Sequence, residues 1–240
     1  MKILVTMYTP RGTMTPEIEA RIVKTVESYS SNSVQVTLGF PEVSSGFAGR
    51  GLGGDAMASA RNHLLVAERM IQAEKEGFDA CIPYGMMEFG VELARTKCSI
   101  PIVGQARAAY CMAALMTSRW GIITYRSDNH SHTFRQVRDQ GFEQMLVGLG
   151  AVGMAPTEMW DRSPLLLERF AGEGQRLVRE GAALIVCHGM SMSPVEFSAR
   201  ELGEAAGVPV LEGMGCALAM AQAWVRTGTP YSAVAYPREE

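Results

Sequence analysis

The chain has 240 residues, enough for one large domain or two small ones. Hydrophobic residues make up 47% and charged residues 20%, the balance of a globular protein with an ample core. The formal charge is -3, with Lys and Arg scattered along the chain, which argues against nucleic acid or an anionic membrane as the main partner.

Strand and helix signals alternate from the start. "KILVTM" is a compact apolar run that reads as a first β-strand, and no small-residue cleavage site follows that would mark a signal peptide. In "TMTPEIEARIVKTVESY", Ile18, Ile22, Val23 and Val26 fall at helical spacing behind a Thr-rich cap, with Pro16 in the first turn. "SVQVTLGF" alternates Val34, Val36 and Leu38 as a strand does. The Gly-rich loop "SSGFAGRGLGGDA" leads into a long helix from about Met57 to Glu76.

Next come strand "FDACIPY", helix "EFGVELART", strand "IPIVG", helix "ARAAYCMAALMTS" and strand "WGIITY". A helix near 132–143, strand "QMLVGLG" and a helix at about 164–180 follow. The chain closes with strand "ALIVC", helix "PVEFSARELGEAA", strand "VPVLEG" and a last helix through Trp224. Such alternation predicts parallel sheets flanked by helices, with ligands at the carboxyl ends of the strands. No apolar run approaches the length of a bilayer span.

The five cysteines (81, 98, 111, 187 and 216) are odd in number and form no CxxC pair, the pattern of reduced thiols in a cytoplasmic protein. The four histidines lack ligand spacing, so no metal is expected, and "HSH" at 130–132 reads as part of a polar loop. "GRGLGG" does not follow a strand and open a helix at the spacing of a dinucleotide fingerprint, so no such cofactor is expected.

Two stretches echo each other. Setting Gly77 against Gly181 aligns "EGFDACIPYGM" with "EGAALIVCHGM", with Tyr84 on His188, Gly85 on Gly189 and Met86 on Met190. Both run on into a Glu-containing helix with an "AR" and then a Pro-containing strand. The expected fold is α/β: two pseudo-symmetric, doubly wound parallel-sheet lobes with the active site between them. Residues 1–103, completed by 208–240, would form the first lobe, and 104–207 the second.

The segments "EGFDACIPYG…ELAR…IPIVG", "WGIITY" and "GAALIVCHGM…LGEAAGVPVLEGMGCALAMAQAW" resemble the aspartate/glutamate racemase superfamily, its hydantoin racemase branch in particular. "VTMYTPRGTMTPEI" resembles the first strand and polar turn of that branch, so the similarity covers nearly the whole chain. The resemblance implies a cofactor-independent enzyme with one cysteine at a strand end in each lobe. One thiolate would remove a proton beside a carbonyl and the opposite thiol return one.

This sequence departs from that pattern. Gly85 stands where the first cysteine would, with Glu88 where the family often has an acidic residue; Cys81, four residues upstream, is expected to face the core. The resemblance places the second cysteine at Cys187, whereas the internal echo puts Gly189 there. The arylmalonate decarboxylase branch keeps only the second cysteine, and "YGMME" would take the place of its polar turn, without that turn's hydroxyls.

Cys187 is the candidate proton donor, acceptor or nucleophile, with His188, Glu88 and Tyr84 as its catalytic partners. Each has a plain alternative: buried thiol, satisfied histidine, helix cap or packing group. Tyr8, Thr9, Thr124, Tyr125, Gly85, Met86, Gly189 and Met190 are candidate substrate contacts. Arg50 would clamp a carboxylate from the Gly-rich loop. The Met clusters would make an apolar, adaptable site or fill the core. The expected activity is racemase-type chemistry at carbon beside a carbonyl or carboxylate. A decarboxylase or hydrolase using the single thiol, and a non-catalytic carboxylate-binding protein, stay open beside it. The expected partners are a small carboxylate or cyclic amide and further copies of the chain.

Overall fold

The computed structural model describes residues 1–44 and 56–237. Two compact units emerge: one takes the described residues up to Gln105 and from Ala217 onward, the other Ala106–Cys216. Among the described residues no helix is long and apolar enough to cross a membrane.

The first unit holds β1 (Lys2–Thr6), α1 (Pro16–Glu27), β2 (Gln35–Gly39), α2 (Ala56–Lys75), β3 (Ala80–Pro83), α3 (Val91–Arg95) and the first residue of α4 (Gln105–Met116), and it takes the chain up again at Ala217. Its sheet is parallel, in the order β2-β1-β3. Four of the five residues of β1 and all four of β3 are buried, as expected for parallel strands covered by helices. Thr15 caps α1 by accepting from the Ile18 N–H, Pro16 opens the helix, and Ile22 and Val26 face inward. Helix α2 brings Val66 and Met70 into a core with Leu4, Cys81, Phe89 and Ile102.

The second unit holds β4 (Trp120–Thr124), α5 (His130–Asp139), β5 (Leu146–Ala151), α6 (Pro164–Arg179), β6 (Ile185–Cys187), α7 (Ala199–Ala206) and β7 (Val210–Glu212), followed by the first turn of α8 (Gly213–Thr227). Its sheet is again parallel, in the order β5-β4-β6-β7. Phe170 and Leu177 of α6 pack with Ile123, Ile185 and Leu202.

The internal echo is written in the backbone. Gly77 (φ +80) and Gly181 (φ +101) end α2 and α6 in the same way. Phe78 N–H donates to the Ala73 carbonyl at 3.1 Å, and Ala182 N–H to the Leu177 carbonyl at 2.9 Å, the six-to-one bond of a Schellman cap. Each cap feeds a buried strand, β3 in the first unit and β6 in the second. Just beyond those strands, Tyr84 N–H bonds Thr6 O and His188 N–H bonds Ile123 O, both at 2.8 Å.

Several elements differ from the sequence reading. "HSH" belongs to α5, which opens at His130. The segment read as helix "PVEFSARELGEAA" yields only α7, because Ser193 is extended (φ -145°) and Ser198 starts a fresh helix with a capping box to Glu201. "IPIVG" contributes one bridge, Cys81 with Ile102, rather than a strand. Strand β7 pairs with β6, so the second unit runs on to Cys216, past the expected return at residue 208.

Candidate active site

In the first unit, the chain leaving β1 and β3 brings together most of the residues singled out there. The Tyr8 ring lies 6.5 Å from Tyr84 and 5.8 Å from Phe89, centroid to centroid. Burial raises the Tyr8 phenol above its ordinary value. Tyr84 and Met86 are buried. Gly85 (φ +98) has open space where a Cβ would stand. Glu88 takes a left-handed backbone (φ 54), uncommon for a residue with a side chain. Its carboxylate lies over the Cα of Gly104, at the start of α4, where a Cβ would overlap it. That puts negative charge at a helix N-terminus, a favourable placement.

One residue here escaped the sequence reading. Gln105 is fully buried and its Nε2 donates to the Pro83 carbonyl at 3.0 Å, tying α4 to the end of β3. Its Oε1 and the Thr9 hydroxyl are buried polar atoms without a hydrogen-bond partner among the described residues. "GQA" offered no signal for this, since a glutamine opening a helix is ordinary. Arg50 lies outside the described residues.

In the second unit, Cys187 ends β6 with 1% of its surface exposed, inside the apolar core with Met192 and Phe197. Its thiol points at the Gly189 carbonyl, 3.8 Å away. Desolvation, aided by Glu212, pushes that thiol up, so the thiolate that does chemistry is withheld. The sulfur expected to be the reagent therefore sits among core groups. Met190 and Met192 are likewise buried, in line with a packing role.

His188 is also enclosed. Its ring lies parallel to Tyr110 at 6.4 Å, and Nε2 is 3.3 Å from Gln136 Oε1. Burial, with His132 adding to it, lowers its pKa from 6.5 to about 3, so it is neutral at physiological pH. The Thr124 hydroxyl donates to the backbone, to Gly150 O at 3.2 Å or Arg126 O at 3.1 Å, rather than facing outward. Glu212 accepts from Met214 and Gly215 N–H at 2.6 Å each and so caps α8.

Tyr125 is different. It follows β4, is half-buried, and lays its ring over Gly189: a Cβ on that glycine would stand 2.5 Å from Cζ and 2.8 Å from the hydroxyl oxygen. Ser191 N–H donates to that oxygen at 2.9 Å. Among the described residues, no three His, Cys, Asp or Glu side chains converge as a metal site.

Comparison with known proteins bears on the family and the fold. Residues 17–221 match the Asp/Glu/hydantoin racemase family. A hydantoin racemase from Pseudomonas sp. (strain NS671) is 27% identical over 167 residues, 68% of this chain and 65% of that enzyme. The match thus spans just under two thirds of that enzyme's length. A hydantoin racemase from Rhizobium meliloti is 29% identical over 174 residues, 70% of each chain. The crystal structure of allantoin racemase from Pseudomonas fluorescens superimposes with a TM-score of 0.84 at 21% identity, covering 100% of this chain and 97% of that one. With two parallel-sheet α/β units and a family match over most of its length, the chain belongs to the Asp/Glu/hydantoin racemase family.

Proposed function

We propose that this chain is a cofactor-independent enzyme of racemase type, moving a proton at the carbon beside a carbonyl in a small cyclic amide of the hydantoin class. The observation that carries the reading is the family match over residues 17–221, joined by the two hydantoin racemases at 27% and 29% identity. The solved relative named as an allantoin racemase adds support, since allantoin and hydantoin share the same five-membered ring.

The chemistry suits the groups present. A C–H bond between an amide nitrogen and a carbonyl is a weak carbon acid, and its carbanion becomes an enolate when the carbonyl oxygen is stabilised. Phenols and a carboxylate follow the strands of this fold in Tyr8, Tyr84, Glu88 and Tyr125, so acid–base groups stand where α/β folds bind ligands. The reading includes a cytoplasmic chain that works as a homo-oligomer, checked by sedimentation of the purified protein.

The test is incubation of one enantiomer of 5-benzylhydantoin with the protein in deuterated water. Deuterium at ring carbon 5, with the ring intact and optical rotation decaying to zero, is the expected result. Loss of carbon dioxide from an arylmalonate with no exchange would make the protein a decarboxylase, and ring opening would make it a hydrolase. Binding of hydantoin with neither reaction would make it a binding protein. Each of those three outcomes overturns the proposal.

A further inference from the structure

We infer that the Tyr125 hydroxyl is the proton-transfer group at the strand ends of the second unit, and that residue 189 is glycine because the Tyr125 ring occupies the space a side chain would take. The inference rests on the proton-transfer reading above and names the residue that performs it.

The acid–base side chains at the ends of β4, β6 and β7 are few, and most are committed elsewhere. Cys187 is in the core with its thiol turned to a backbone carbonyl. His188 is enclosed and stacked on Tyr110. Glu212 holds two N–H groups at the start of α8. Arg126 is ion-paired with Asp128 at 3.1 Å on the surface. The alcohol of Thr124 serves the backbone.

Tyr125 alone among these combines partial exposure with an oxygen anchored by a main-chain donor. A backbone N–H aimed at an oxygen stabilises negative charge there without reorganising, the arrangement an oxygen base needs. The ring cannot take this position over any residue but glycine. With its Cζ 2.5 Å and its oxygen 2.8 Å from the site of a Cβ, even alanine at 189 would displace it. At the echoed position, Gly85, the space is open, so the close fit belongs to this pair and is not a feature of the turn.

The step balances without a further reactant. The phenol first gives its proton to solvent. The phenolate oxygen then takes the hydrogen at ring carbon 5 as a proton: the C–H bond breaks, its electron pair passes into the adjacent carbonyl as an enolate, and an O–H bond forms on Tyr125. Return of a proton from the phenol, after its O–H exchanges with solvent, labels the carbon on the same face, and a water proton delivered to the opposite face of the enolate gives the inverted enantiomer.

The test compares wild type with Tyr125→Phe, Gly189→Ala and Cys187→Ser for deuterium exchange into 5-benzylhydantoin, each variant first checked for a native circular-dichroism spectrum. Tyr125→Phe keeps the ring and is expected to lose about a hundredfold or more in rate, the usual contribution of a positioned acid or base. Gly189→Ala is expected to lose activity in parallel, and Cys187→Ser to keep it. Fluorotyrosine at position 125, with a more acidic phenol and nearly the same shape, is expected to move the rising limb of the pH–rate profile to lower pH. A packing role would leave that limb in place. Wild-type exchange together with an undiminished Tyr125→Phe rate, or an unmoved limb, overturns this inference and leaves the proposed activity standing. A wild type that exchanges no hydantoin overturns the activity, and the inference falls with it.

Discussion

Arg95 closes over the carbonyl of Ile102. Its Nε and Nη2 donate to that oxygen at 3.1 and 2.9 Å, and the residue is 6% exposed. Its Nη1 reaches Glu92 at 2.8 Å and the Tyr236 hydroxyl at 3.1 Å. The Ile102 N–H donates in turn to the Tyr231 hydroxyl at 2.6 Å. Side chains thus supply both hydrogen bonds that a neighbouring strand would have given Ile102. Arg95→Met removes a charged donor and leaves a buried carbonyl unmet, and is expected to lower stability by about 2–4 kcal/mol in urea unfolding. An unchanged urea midpoint would show that the closure holds nothing.

His188 is expected to make stability fall in acid. In the folded chain its pKa is about 3, lowered first by burial and then by His132, against 6.5 for an ordinary histidine. The unfolded chain therefore binds a proton below about pH 6.5 that the folded chain refuses. The stabilising contribution is whole above that pH and is lost as pH falls from 6.5 toward 3, at up to about 1.4 kcal/mol per unit. His188→Gln is expected to flatten this limb, narrowing the difference between urea midpoints at pH 7 and pH 4.5. A variant with the same acid limb as wild type would place the titrating group elsewhere.

Among the described glycines of the first unit, Gly90 makes the tightest approach to main-chain atoms. At φ +74 it sits on α2, where a Cβ would stand 2.6 Å from Ala67 N and 2.7 Å from His63 O. Both neighbours are main-chain atoms and cannot swing aside. Gly90→Ala is expected to cost about 3 kcal/mol or more, through the left-handed backbone and the overlap together. A thermal midpoint equal to wild type would refute the close packing.

The thiols should separate by accessibility. Cys81, Cys98, Cys187 and Cys216 are buried, and Cys111 is half-buried. Desolvation pushes Cys81 and Cys187 up and Cys216 to about 12, so none of these three offers thiolate at neutral pH. Ellman's reagent is expected to find Cys111 in the native protein and all five thiols after unfolding. Rapid native labelling of Cys187, located by peptide mass, would contradict its core placement.

Much of the fold was readable because parallel strands and their helices carry strong local patterns. The apolar runs "KILVT" and "WGIIT" are β1 and β4, and Pro16 behind Thr15 does open α1. The failures have two causes, one distant in the chain and one local. "IPIVG" has strand composition, yet Arg95 and Tyr231 take the places of its neighbour, and side chains from elsewhere in the chain leave no local trace. "PVEFSARELGEAA" has helical composition, yet Ser198 is a better helix start than its apolar neighbours, so the helix begins late.

The positions of the candidate site residues were legible in part. Tyr8, Tyr84 and Tyr125 follow strands as expected. Cysteine chemistry drew attention to Cys187, but a thiol at the end of a buried strand points inward or outward according to the pleat, and here it points inward. Gln105 and the seat of Tyr125 over Gly189 depend on contacts between residues far apart in the chain, which no spacing rule reports.

That seat limits how this protein can change over time. Positions 125 and 189 compete for one volume, so an aromatic ring at the first and any branched or sulfur-bearing group at the second are alternatives. A lineage moving from one arrangement to the other must pass through an intermediate with either a steric collision or an empty hollow. Loss of the ring by itself opens a hollow, and a larger group at 189 by itself pushes the ring aside, so each position constrains the other.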